Sequence, residues 1–99
     1  MKQLEAIQIV KAYKELLSQH LEFEAVYLFG SHALNTSVSD SDIDVAVFVD
    51  GMDVNPLTTE ALLWKVRRSI DTRIEPLLID SSDTNAPIFS DIRQNGIKI

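Results

Sequence analysis

The sequence predicts an α+β fold, one small sheet covered by helices, and two patterns carry that prediction. Short apolar runs rich in β-branched and aromatic residues, AVYLF at 25–29, IDVAVFV at 43–49 and IEPLLI at 74–79, are too short for helices and read as strands. Between and around them, longer stretches repeat their apolar residues every three or four positions, the period of an amphipathic helix. The element order is α-β-β-α-β-α.

Residues 2–19 place Ala6, Ile9, Tyr13 and Leu16 along one helix face, flanked by Ile7, Val10 and Leu17, with Lys, Glu and Gln outside. Gly30 ends the first strand, 32–35 is a short helical turn, and 36–41 is a polar loop of turn-forming residues. In the second strand Ile43, Val45, Val47 and Val49 face one way, and Asp44, Ala46 and Phe48 the other. Asp50-Gly51 and Asn55-Pro56 punctuate the loop that follows. Thr58 is the expected cap of a helix over 59–70, with Glu60 early and Lys65, Arg67 and Arg68 late, as the helix dipole favours. Pro76 removes a ladder hydrogen bond and so places the third strand at a sheet edge. Residues 87–94 read as a closing helix with Gly96 as its C-cap, and 97–99 as a brief further pairing with the sheet. Residues 1–99 are expected to form one domain.

Composition narrows the function. With 99 residues, 45% of them hydrophobic, the chain suits one modest core. The absence of cysteine excludes disulfides, thiolate metal sites and a cysteine nucleophile. The charged N-terminus lacks the apolar core of a signal peptide, and no apolar run reaches membrane-spanning length, so a soluble, cytoplasmic chain with no membrane contact is expected. A net charge of −6 lacks the basic footprint of a general nucleic-acid binder, so direct nucleic-acid binding is not expected. From Glu15 up to Lys65 the chain carries nine acidic residues and no Lys or Arg. Three of those acids, Asp40, Asp42 and Asp44, alternate at the mouth of a buried strand. Carboxylates so crowded repel one another unless a proton or a metal cation neutralises them.

The chemistry concentrates in LFGSHALNTSVSDSDID. On a strand, residues two apart point to the same side, so Asp42 and Asp44 present their carboxylates together. Two hard oxygen ligands on a rigid strand suit Mg²⁺, which prefers carboxylates plus substrate phosphates to an all-protein cage. Upstream, Gly30 lets a ligand approach the backbone closely, because it has no Cβ. Ser31 adds a hydroxyl, and the N–H groups opening the next turn can form an anion-binding concavity. A phosphate cradle beside a metal clamp is what nucleotidyl transfer requires.

Gly30-Ser31, ten intervening residues and Asp42-x-Asp44 resemble the GS-x10-DxD signature of the DNA polymerase β-like nucleotidyltransferase superfamily. The SDSDID context and the strand before it resemble the minimal nucleotidyltransferase (MNT) branch, over roughly residues 4–79. The resemblance implies a small mixed β-sheet with helices packed on it. It further implies a Mg²⁺-dependent enzyme, with one or two ions, that transfers a nucleoside monophosphate from a triphosphate, ATP foremost, to a hydroxyl. Members of this branch are usually encoded beside a HEPN-domain protein, and several act as antitoxins that adenylylate their HEPN ribonuclease toxin. Carried over by position, Asp42 and Asp44 are catalytic metal ligands and Gly30 and Ser31 bind the nucleotide's phosphates. The superfamily's third carboxylate, on a later strand, falls on Glu75, which binds metal and helps activate the attacking hydroxyl. Aspartate is more usual there, and Asp71 is the runner-up, nearer the loop. At Leu34-Asn35 many members have Arg-Gly.

Two functions of different classes follow. One is an active nucleotidyltransferase with a HEPN-type protein as acceptor. The other is a nucleotidyltransferase-fold binding module that has lost catalysis and neutralises or scaffolds its partner by contact. A chain of 99 residues has no separate domain for acceptor recognition, so either role needs a homo- or hetero-oligomer. Asp40 is expected to shape the loop, and His20 and His32 to be exposed or loop histidines. Tyr13, Leu63 and Trp64 are expected in the core or facing a partner, and Lys65, Arg67 and Arg68 at a solvated helix end.

Overall fold

The computed structural model describes residues 3–30, 32–33, 42–50, 56–82 and 87–99. In chain order the elements are α1 (Gln3–Leu17), β1 (Ala25–Phe29), β2 (Ile43–Val49), α2 (Pro56–Arg67), β3 (Ile74–Asp80), α3 (Pro87–Asn95) and β4 (Ile97–Lys98). The strands form one mixed sheet in the order β3-β2-β1-β4. β1 pairs antiparallel with both β2 and β4, whereas β2 and β3, joined through α2, are parallel. The α+β architecture expected from the pattern is borne out, and Pro76 does lie on an edge strand. Among the described residues no helix is long and apolar enough to cross a membrane.

The period-2 alternation of β2 separates two layers. Ile43, Val45, Val47 and Val49 join Val26, Leu28 and Ile74 under α1 and α2, where Ala6, Val10, Tyr13, Leu17, Leu63 and Val66 complete the larger core. Ala46 and Phe48 point the other way and meet Tyr27, Ile79 and the α3 residues Phe89 and Ile92. Phe48 stacks edge-on against Tyr27 at 5.3 Å and Phe89 at 5.2 Å, geometry that aromatic quadrupoles favour and that seats α3 on the sheet. The buried Tyr13 hydroxyl donates to the Leu63 carbonyl at 3.0 Å, tying α1 to α2, and burial raises its pKa well above the usual phenol value.

Three local expectations shift. The buried stripe of α1 is Ala6, Val10, Tyr13 and Leu17, one position round from the anticipated face, and Ile9 and Leu16 are only partly covered. Helix α2 begins at Pro56, so Thr58 lies exposed inside it rather than capping it. Proline suits the first helical position, where its missing N–H is not needed and its φ is already helical. Gly96 donates its N–H to the Ile92 carbonyl at 2.7 Å at the end of α3, but not through a left-handed turn. Its need is space, since a Cβ there would stand 2.5 Å from the Ile92 carbonyl oxygen and 3.2 Å from that of Leu28. Residues 34–41, including Leu34, Asn35 and Asp40, lie outside the described residues.

Candidate active site

The strand pairings bring the candidate carboxylates to one end of the sheet. Asp44, the second residue of β2, lies opposite Glu75 of β3 on one side and Phe29 of β1 on the other. Asp42, two residues before Asp44, shares its side of the strand. Because Ile74 belongs to the α1–α2 layer, Glu75 points to the opposite layer, the same face as Asp44. All three acids therefore share one face at one sheet end. Gly30 follows directly after β1 with φ of 72°, in the left-handed region that other residues rarely adopt. A Cβ built on Gly30 would overlap the Asp44 carboxylate as it stands, so glycine suits both the backbone and the close approach to that side chain. Ser31, the other residue expected to seat phosphate, lies outside the described residues.

Electrostatics mark the site as short of positive charge. Burial pushes the Asp44 carboxyl above the ordinary carboxylate range, repulsion from Asp42 adds to this, and His32 partly opposes it. Glu75 is raised as well, first by loss of water around its carboxyl and then by the Asp42 charge and a hydrogen bond shared with Asp42. Asp44 pushes in the same direction, while Arg67 counteracts. Among the described residues, no group of three His, Asp or Glu side chains is arranged as a ready ligand set for a metal ion. The chemistry of the donors still fits one: hard oxygens, clustered, with charge that calls for a proton or a cation. Asp42, Asp44 and Glu75 are the oxygen donors that could hold a divalent cation.

Asp71 does not join this group. Arg73 grips it through two side-chain hydrogen bonds at 3.0 and 2.7 Å and a backbone N–H at 2.9 Å, which holds its carboxyl below the usual range.

Two residues differ from their expected surroundings. His32 is fully buried rather than exposed, close enough to act electrostatically on Asp44, and Gln3 Nε2 donates to its carbonyl at 3.1 Å. A single histidine between a Gly-Ser pair and a polar loop carries no periodicity that signals burial. Arg67 is not a solvated helix-end cation: it donates to the Thr72 carbonyl and lies over the Trp64 ring at 4.5 Å. Its spacing, four residues after the buried Leu63, was the available signal. Trp64 itself is 40% exposed, whereas Tyr13 and Leu63 are core residues.

A small mixed sheet with an Asp-x-Asp strand, a glycine folded over it and an acidic neighbour on the adjoining parallel strand defines the nucleotidyltransferase fold. Solved structures agree. A provisionally assigned nucleotidyltransferase from Sulfolobus solfataricus superposes with a TM-score of 0.70 at 20% identity, covering 97% of this chain and 80% of that one. A toxin–antitoxin complex with AMP-PNP gives 0.65 at 23% identity, over 91% and 70% of the two chains. A toxin–antitoxin structure of MntA-HpeT carrying two Asp-to-Glu substitutions gives 0.61 at 18%, over 99% and 72%. No curated protein sequence matches. Residues 11–99 match the family described as Polymerase beta, Nucleotidyltransferase, and the chain belongs to that family.

Proposed function

We propose that this protein is a Mg²⁺-dependent nucleotidyltransferase that moves AMP from ATP to a hydroxyl of a HEPN-type toxin and so serves as the antitoxin of a pair. The carrying observation is the register Asp44↔Glu75 across the parallel strands, with Gly30 closed against Asp44. Family membership supports the transferase class. The toxin–antitoxin structures of the same fold, one holding AMP-PNP, support the nucleotide and the antitoxin role.

In this reading Asp42, Asp44 and Glu75 would hold Mg²⁺, and Gly30 with Ser31 would cradle the β- and γ-phosphates of the triphosphate. A cation held there would supply positive charge against the charge that develops on the reacting oxygens. The acceptor oxygen bonds to the α-phosphorus, the bond to the α–β bridging oxygen breaks, and pyrophosphate leaves with the electron pair. Glu75, opposite Asp44 on the adjoining parallel strand, accepts the hydroxyl proton. Its extra methylene relative to aspartate lets it reach from an edge strand. Positioning and electrostatics supply most of the catalysis.

Incubating the purified pair with labelled ATP and Mg²⁺ tests this. Label on the partner, abolished in the Asp42→Asn/Asp44→Asn double variant, is the expected result. If no label transfers and the double variant still neutralises the toxin in cells, catalysis is rejected and the protein acts as a contact-dependent binding module.

A further inference from the structure

Between Glu15 and Lys65 the chain carries no Lys or Arg, so no basic side chain of that stretch can meet a phosphate seated at Gly30-Ser31. Backbone N–H groups are the donors left there, and they hold an anion only when their peptide planes face it. Directly after the pair, the chain turns through His32 and Ala33. The first residue of α1 reaches across to that turn. Gln3 Nε2 donates to the His32 carbonyl at 3.1 Å and to the Ala33 carbonyl at 2.9 Å. A side-chain amide nitrogen has two N–H groups, so each carbonyl takes one and both are used. Since both partners are acceptors, it is the amino end of the amide that faces the turn.

Those two bonds fix which way the turn faces. In a trans peptide the carbonyl and the N–H that follows it point in opposite directions, and none of the described peptide bonds is cis. With the His32 carbonyl drawn to Gln3, the Ala33 N–H points away from α1. Helix α1 covers one face of the sheet, and Asp44 and Glu75 stand on the other. The pinned plane therefore turns its donor towards the side of the acids. Among the described residues, no backbone carbonyl accepts from that N–H. The turn also lies beside the acids, since buried His32 is near enough to act on the Asp44 charge. Without the Gln3 bonds these planes would be ordered only as the anion arrives, and that ordering would oppose binding.

We infer that Gln3 is a positioning residue, one that holds the His32–Ala33 turn so that its backbone donor faces the triphosphate. The inference rests on the transferase reading above and adds to it a residue far from the signature in sequence. Isothermal titration with inorganic tripolyphosphate in Mg²⁺ tests it on the wild type and two variants. Gln3→Met keeps the side-chain length and loses both donors, and Gln8→Met is the exposed control on the same helix. Gln3→Met is expected to lose about tenfold in tripolyphosphate affinity, roughly one net hydrogen bond's worth. It is expected to keep the shift in urea midpoint produced by Mg²⁺ alone, and Gln8→Met to keep both. In the wild type, amide hydrogen exchange at Ala33 is expected to slow when tripolyphosphate binds, a measurement that needs no variant to fold. A Gln3→Met protein that binds tripolyphosphate as tightly as the wild type, or that loses the Mg²⁺ shift as well, overturns the inference and leaves the transferase reading standing. So does an Ala33 exchange rate that tripolyphosphate leaves unchanged, or a Gln8→Met protein that loses as much affinity as Gln3→Met. A wild type that binds no tripolyphosphate overturns both.

Discussion

Asp71 and Glu75 stand four residues apart at the entry to β3, yet their carboxyl groups are pushed in opposite directions. Asp71 is lowered by the hydrogen bonds and charge of Arg73, two residues away, so its own loop satisfies it. Glu75 is raised by lost hydration and by Asp42 and Asp44, and the opposing pull of Arg67 does not cancel them. The first is an acid used for structure. The second belongs to the acidic group to which the proposed function assigns the metal.

The largest test of that difference is catalytic. Asp44→Asn is expected to lower transfer by about 10³-fold, the scale of losing a group that stabilises transition-state charge. Asp71→Asn should leave the rate unchanged in the same labelled-nucleotide assay. A rate loss in both would erase the distinction.

Metal binding should separate the regions next. Mg²⁺ at about 100 times its dissociation constant is expected to stabilise the wild type by about 2.7 kcal/mol, read as a shift in the urea midpoint. Asp42→Asn/Asp44→Asn should abolish the shift, and Asp71→Asn should keep it. Gly30→Ala comes third, with a loss of roughly 1–2 kcal/mol from the left-handed backbone alone and more from the collision with Asp44. Urea unfolding measures it, and a neutral outcome would show that the close approach is not required.

Acid titration gives the smallest and most diagnostic effect, because the two regions have opposite signs. For Asp44 and Glu75, raised in the fold, stability is fully present below the ordinary carboxylate pKa of about 4 and is lost as pH rises through the higher folded values. Lowering the pH from 7 towards the ordinary carboxylate pKa of about 4, without divalent cation, should therefore favour the wild type more than Asp44→Asn/Glu75→Gln. For Asp71, lowered in the fold, stability is present above about pH 4 and is lost as pH falls through its folded value. Asp71→Asn should cost under about 1 kcal/mol at neutral pH, since Arg73 is partly exposed and water screens the pair. Parallel pH profiles for the two variants would contradict the contrast.

Legibility in the sequence tracked how local each cause is. The strands were readable because alternation is a property of neighbouring residues, and the two faces of β2 separate into two cores as the pattern implied. The stripe of α1 was misread by one position, since Ile9 and Leu16 are as apolar as Val10 and Leu17 and only the packing partners choose between them. Burial of His32 had no local signal. Arg67 read as a surface cation because its acceptor, the Thr72 carbonyl, belongs to the turn after its helix.

By itself the sequence determined the sheet and helices, the shared side of Asp42 and Asp44, and the glycine that precedes them, because backbone periodicity and the lack of a Cβ act within a few residues. Only the tertiary structure decided that Glu75 rather than Asp71 faces Asp44, through a parallel register set by how α2 returns the chain. It also decided that Gln3 of α1 meets the carbonyls of His32 and Ala33. Those outcomes depend on the packing of elements far apart in the chain, and no local pattern encodes the angle at which they meet.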